Sequence, residues 1–283
     1  MNLQFFSERI SLLRLDLPDP SRGGNKYFKL KYNLEEMRRQ GKTRLLTFGG
    51  AFSNHIPAVA VAGKQHGFET IGLIRGDELD VNSNAVLQFA AACGMKLYFI
   101  SRNKYRERNK QEFLNQLQHE FGDFYFLPEG GSNTLGAKGC SEILSGETDA
   151  FDEIVCPVGT GATLAGLIAV AKSHQHITGI ALLNGKNYLE ENVLQFLPAA
   201  VRCQWHIDHR FTLGGYGKTN ETLTQFINSM RTLHNIPLDP VYSAKAFLAL
   251  HQIAGEKSNE HKKFLFIHTG GYGINSFYKN NPR

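Results

Sequence analysis

The sequence has few cysteines and pairs none of them. Cys93, Cys140, Cys156 and Cys203 lie far apart with no C-x-x-C spacing, so neither a zinc site nor a disulfide framework is supported, and they read as reduced core thiols. Long apolar runs are missing too. The longest small apolar stretch, residues 161–171, is too short to span a bilayer. The first twenty residues, MNLQFFSERISLLRLDLPDP, carry acidic side chains where an export signal would have a cationic head, an apolar block and a small-residue cleavage site. A cytoplasmic protein with no membrane partner is expected. No fixed-period repeat and no low-complexity linker divides the chain.

Blocks of like charge are equally scarce. The net charge is +5, but no run of five or six like charges appears. The densest stretch, SRNKYRERNKQEF (101–113), contains glutamates as well and reads as a solvated helix face. No nucleic-acid fold motif surrounds it, so small anions are the expected partners rather than nucleic acid. The paired histidines His174/His176 and His206/His209 lack the spacing and glutamate of HExxH. They read as solvated surface residues, and no catalytic metal is expected.

What is present is a folded composition, 42% hydrophobic and 20% charged, over a length that suits one large domain or two ordinary ones. Short apolar runs recur: LLTFGG (45–50), TIGLIRG (70–76), KLYFIS (96–101), FYFLPEGG (124–131), EIVCPVG (153–159), ITGIALLNG (177–185) and FLFIHTGG (264–271). Helical patterns such as IPAVAVAGKQHG and NAVLQFAAACG separate them, each closing on glycine. Continuous apolar strands alternating with helices predict an α/β protein whose parallel sheets are covered on both faces. The strand series divides the chain into a small domain, 29–126, and a larger one made of 1–28 with 127–283.

Ligands of open α/β sheets bind where strands turn into helices. In CPVGTGATLAG, Gly159, Thr160, Gly161, Ala162 and Thr163 follow a strand and precede an apolar helix. Such a turn lets backbone N–H groups approach a phosphate, although a plain tight turn would look similar. In FGGAFSNHIPAVAVAG, Ser53 and Asn54 fit a helix cap and equally a carboxylate site. Thr269 in HTGG stands at a strand end, placed to offer a hydroxyl to a ligand. The stretch SRGGNKYFKLK sets three lysines, Lys26, Lys29 and Lys31, at the start of a helix.

Together GGNKYFKLK, GGAFSNH, VGTGAT, GGYGK, DPVYSAK and HTGG stand in the order and spacing of one family. Over residues 23–273 the chain resembles the 1-aminocyclopropane-1-carboxylate deaminase and D-cysteine desulfhydrase family. These are pyridoxal-phosphate enzymes of the tryptophan-synthase-β fold type. The resemblance implies two open, parallel-rich sheets with flanking helices, pyridoxal 5'-phosphate as cofactor, a small amino acid as substrate and a homodimer. It puts the family's cofactor-linking lysine on Lys26, as a Schiff base whose amine later acts as base at Cα, because only an amine forms an imine with the cofactor aldehyde. Lys29 and Lys31 are then neighbours with no covalent role. It further implies that Asn54 bonds the cofactor's 3'-oxygen and that Ser53 holds the substrate carboxylate. The 159–163 turn would cradle the phosphate, and Tyr216 and Tyr242 would flank the substrate.

Two positions separate the branches of that family. The deaminases have glutamate after the DPVY tyrosine and leucine in the HxGG motif, where desulfhydrase-like members have hydroxyls. Here the residues are Ser243 and Thr269. A neutral hydroxyl by the pyridine nitrogen makes a weaker electron sink than a carboxylate does, which suffices for β-elimination of a good leaving group such as sulfide. The expectation is a lyase acting on D-cysteine, with a 1-aminocyclopropane-1-carboxylate deaminase, or a cofactor-binding protein with little turnover, as alternatives. A nucleotide-binding α/β protein is suggested by the glycine turns alone, and Lys26 argues against it.

Overall fold

The computed structural model describes residues 2–17, 23–182, 188–215 and 218–271. Strands β1 (Leu3–Phe5) and β2 (Ile10–Arg14) open the chain. Four parallel strands follow, β3 (Arg44–Gly50), β4 (Glu69–Arg75), β5 (Lys96–Ile100) and β6 (Tyr125–Leu127), in the order β5-β4-β3-β6. The later strands β7 (Glu153–Val158), β8 (His176–Ala181), β9 (Gln204–Asp208) and β10 (Phe264–His268) join the first two in a six-stranded sheet, β1-β2-β10-β7-β8-β9, in which the β1–β2 pairing is antiparallel. The two parallel-rich sheets agree with the expected fold class. Every residue of β2, β7 and β10 is buried, as continuous apolar runs require when helices cover both faces.

Each sheet carries two apolar layers. Leu46, Phe48, Ile71 and Leu73 of the smaller sheet face Tyr105 of α4 (Arg102–Arg106) and Phe113 and Leu117 of α5 (Gln111–Phe121). Its other side packs on α1 (Asn25–Arg39), α2 (His55–His66) and α3 (Ala85–Ala92). The larger sheet is flanked on one side by α6 (Thr134–Cys140), α7 (Ala162–Val170) and α8 (Tyr188–Leu194). On the other it is flanked by α9 (Glu221–His234) and α10 (Ser243–Ala254).

Strands β1, β2 and β9 escaped the apolar-run reading. β9 is an edge strand whose outward residues are polar, so its sequence QWHID shows no continuous apolar block. Of the histidines expected at the surface, His206 is exposed and His176 half-buried, and the two are paired with each other. His206 Nδ1 lies 3.2 Å from His176 Nε2 across β8 and β9, and His176 Nδ1 lies 2.7 Å from the buried Glu153 carboxylate. Among the described residues no group of three potential ligands is arranged to hold a metal. The 101–113 stretch also differs from a solvated helix face: Tyr105 is only 3% exposed and packs edge-on against Phe48.

Glycines set the separation of the helices that carry the site. A Cβ on Gly139 of α6 would fall 1.8 Å from the Phe28 carbonyl of α1, and one on Gly166 of α7 would fall 2.5 Å from the Ala137 carbonyl of α6. The backbones of α1, α6 and α7 are therefore in direct contact, and α1 cannot shift without moving the other two. Gly139→Ala is expected to lose about 1–3 kcal/mol, the usual range for overpacking a tight contact. Gly146, with nothing within 4 Å of its Cβ position, should tolerate alanine. Denaturant midpoints at constant m-value measure both, and equal midpoints for the two variants would contradict the close-contact account.

Candidate active site

A cavity of about 270 Å³ opens where the carboxyl ends of strands from both sheets meet. Nine of the residues expected at a site line it: Lys26, Ser53, Asn54, Gly159, Thr160, Gly161, Thr163, Tyr242 and Thr269. Ala162 and Ser243 are set back from the wall, fully buried as the first residues of α7 and α10. Tyr216 lies outside the described residues.

Lys26 owes its position to the two glycines before it. Gly23 and Gly24 have φ of +78° and +61°, where a side chain is strained. A Cβ on Gly24 would also lie 2.1 Å from the Thr269 carbonyl oxygen. That oxygen accepts the Asn25 N–H at 3.0 Å, and the Asn25 amide donates to Thr163 Oγ1 at 2.8 Å. The start of α1 is thereby tied to the end of β10 and to the turn before α7. Burial and the nearby Lys29 cation push the Lys26 amine down to about 7.

Lys29 stands one turn further along the same helix face and is 2% exposed. Its ammonium donates to the Gly130 carbonyl at 3.1 Å, Ser132 Oγ at 3.2 Å and Thr160 Oγ1 at 3.3 Å. Burial lowers its pKa as well. This is the functional candidate that the sequence reading passed over, and the i, i+3 spacing from Lys26 was the signal available. Thr160 belongs to the glycine turn, so a cation already points at that turn. Gly161 has φ of +87° and caps α7, whose first N–H groups have no acceptor within the helix.

In the 53–55 turn Ser53 Oγ accepts the N–H of His55, the first residue of α2, at 3.3 Å, as a capping side chain does, whereas Asn54 does not. Asn54 precedes α2, but its side chain makes no capping hydrogen bond. Its amide nitrogen has a long contact, 3.5 Å, to Asp239 Oδ2, and its oxygen is buried without a partner. Next to it, His55 is buried and its pKa is held well below the ordinary value by desolvation and by the two lysines. Thr47 Oγ1 donates to the Leu127 carbonyl and so accepts from His55 Nε2 at 2.8 Å. With the proton on Nε2 and the pKa lowered, Nδ1 is bare and has no partner. On the opposite wall, Asp239 Oδ1 accepts the N–H groups of Val241 and Tyr242, and Ser243 Oγ accepts the N–H of Asp239 at 2.7 Å. The DPVYS motif is thus a closed turn that aims Tyr242 across the cavity at Gly159, whose Cβ position lies 3.5 Å from the tyrosine ring.

The donor set suits a phosphorylated aldehyde: one amine near neutrality, a second buried cation, a glycine turn closing on a helix N-terminus and an under-satisfied amide between them. Comparisons with known proteins agree. The model of the pyridoxal-phosphate dependent enzyme family matches residues 7–270. A Thermotoga maritima protein provisionally named 1-aminocyclopropane-1-carboxylate deaminase is 30% identical over 93% of this chain and 88% of its own. The mitochondrial bifunctional D-cysteine desulfhydrase/1-aminocyclopropane-1-carboxylate deaminase of Arabidopsis thaliana is 29% identical over 88% of this chain and 68% of its own. A solved 1-aminocyclopropane-1-carboxylate deaminase homologue superposes with a TM-score of 0.77 at 27% identity, covering 96% of this chain and 88% of the other. With that match over nearly its whole length, and with the lysines and glycine turn that such a cofactor requires, the chain belongs to the pyridoxal-phosphate-dependent enzymes.

Proposed function

We propose that the protein catalyses α,β-elimination from a small amino acid, with D-cysteine the first candidate, releasing sulfide, ammonia and pyruvate. The observation that carries this is the meeting of Lys26, an amine lowered to about 7, with the Lys29-backed glycine turn in one cavity. When bound, pyridoxal phosphate supplies an aldehyde that joins amines and a ring that draws electrons from Cα. Lys29, Thr160 and the first N–H groups of α7 hold the phosphate. Lys26 holds the aldehyde end, and its neutral Nζ, once free, takes the Cα proton. Asn54 bonds the ring oxygen, and Ser53 with the start of α2 binds the substrate carboxylate. Tyr242 flanks the reacting atoms, and Tyr216 is assigned to the same wall. As the proton leaves Cα, the Cβ–S bond breaks with its electron pair on sulfur, and water converts the remaining enamine to keto acid and ammonia.

Thr269 faces the cavity with a neutral hydroxyl, and Ser243, held against Asp239, keeps a second hydroxyl behind it. Both favour an unprotonated ring nitrogen and hence elimination of a good leaving group. The alternative, opening of 1-aminocyclopropane-1-carboxylate, is favoured by the provisional names of the Thermotoga and Pyrococcus relatives. We further assign residues 29–126 to a small domain that contributes Ser53 and Asn54, and 1–28 with 127–283 to a large domain that contributes the phosphate turn.

Holoenzyme given each cysteine enantiomer and 1-aminocyclopropane-1-carboxylate should release sulfide and pyruvate from D-cysteine. A four-carbon keto acid from the cyclopropane substrate alone would reverse the assignment. Lys26→Ala should lose both the retained visible absorption and turnover. Lys29→Met should keep the absorption but bind cofactor at least about tenfold more weakly, the loss expected for one charge-assisted contact to phosphate. Equal cofactor affinity in Lys29→Met and wild type would remove Lys29 from the phosphate site.

The lowered amine also sets a pH dependence. Only neutral Lys26 attacks a carbonyl, so capture of pyridoxal phosphate by the apo protein should accelerate as pH rises to about 7 and level off above it. An amine at its ordinary pKa of 10.5 would keep gaining about tenfold per pH unit through pH 9. Stopped-flow absorbance across pH 5.5–9 separates the two, and a rate still climbing steeply above pH 8 would contradict a depressed Lys26.

A further inference from the structure

Beyond the cofactor and carboxylate positions, the cavity has a third cationic place. Arg75, the exposed last residue of β4, lines it, and its guanidinium forms no hydrogen bond or ion pair among the described residues. Its guanidinium lies 5.7 Å from the ring centre of Tyr105. A Cβ on Gly50 would sit 3.6 Å from Arg75 Nη2, and the Gly50 carbonyl accepts the Ser53 N–H at 3.0 Å, so the cation overhangs the turn that presents Ser53. A second arginine, Arg108, stacks 4.9 Å from Tyr105, and its Nε lies 2.9 Å from Glu129 Oε2. Among the described lining residues the one carboxylate, Glu129, is therefore paired with Arg108, and none forms an ion pair with Arg75.

The sheet order says what Arg75 can reach. Across the carboxyl ends of β6, β3 and β4 stand, in turn, Gly130 with Lys29, then Ser53, then Arg75. Neighbouring strands are about 4.8 Å apart. Arg75 thus lies one strand beyond Ser53, on the side away from the glycine turn. We propose that Arg75 reads a negative charge at the end of the substrate's β-substituent. The substrate class then extends beyond D-cysteine to β-substituted amino acids whose leaving group carries a carboxylate, sulfonate, sulfate or phosphate. This rests on the elimination reading above. The leaving group departs with the Cβ–X electron pair, and a guanidinium beside it stabilises the growing charge.

Holoenzyme is tested with both enantiomers of O-phosphoserine, cysteine S-sulfonate and the neutral β-chloroalanine. Wild type should favour the anionic compounds in kcat/KM. In Arg75→Met the ratio of anionic to neutral kcat/KM should fall roughly tenfold or more, mainly through KM, with partial recovery in Arg75→Lys. Retained cofactor absorption and an unchanged unfolding midpoint report an intact fold. No anionic preference in wild type, or an equal fall for all compounds in Arg75→Met, overturns the proposal. If no compound yields keto acid, the elimination reading fails on its own, and Arg75 is judged by binding. Aspartate and glutamate should then perturb the cofactor absorption at concentrations at least about tenfold below alanine in wild type and not in Arg75→Met, whereas matched affinities overturn it.

Discussion

The site depends on a backbone contact. The start of α1 meets the end of β10 so closely that Gly24 leaves no room for a methyl, and the Asn25 N–H closes on the Thr269 carbonyl. Lys26 follows immediately, so the position of its amine is set by main-chain atoms rather than by its own long, flexible side chain. At the far end of that contact, β10 is anchored by a buried group. Arg14 clasps Asp16 through two hydrogen bonds of 2.8 and 2.6 Å, and Asp16 lies 3.1 Å from His268 Nδ1. His268 Nε2 in turn donates to the Pro237 carbonyl. The strand end that receives α1 is consequently held from both sides, by the first strands and by the loop that leads into α10.

Two lysines one turn apart on a buried helix face would repel each other and resist burial. Their environments divide the work. Lys29 is surrounded by three oxygen acceptors, which support a charged ammonium even with little water. Lys26 faces the cavity instead, where burial and its neighbour's charge favour the neutral form. The same pair keeps His55 uncharged. A cation for an anion, and a nucleophile near neutral pH, thus arise from one sequence pattern because their partners differ.

Much of this was legible in the sequence, and the parts that were not share a cause. Apolar runs announced the strands that helices bury on both sides, while β9, at an edge, has no such run. The glycine turn at 159–163 and the GGN step before Lys26 were readable because positive φ and close backbone approach demand glycine. Lys29 was not, since a lysine in a helix is solvated far more often than it is buried. Nor was the role of the 101–113 stretch. Its charges suggested a surface, but Tyr105 and Phe113 turn inward, and Arg108 reaches the cavity wall beside Tyr105. The capping reading of Asn54 failed for a related reason: the residue has the right type and place, and its amide is spent on the cavity rather than on the helix.

The two sheets contribute unequally to what the enzyme can be. The larger sheet supplies the 159–163 glycine turn, Tyr242 and Thr269 to the cavity wall. The smaller sheet supplies the ends of β3 and β4, from which Ser53, Asn54 and Arg75 reach the cavity. Arg75, at the end of β4, is separated from the 159–163 turn by the ends of β3 and β6. The guanidinium of Arg75 is exposed and has no ion-pair partner among the described residues, so it is open to a negative charge that arrives with the substrate. Reaction type is therefore argued from the large-sheet wall and substrate choice from the small-sheet wall, and the two readings stand on different residues.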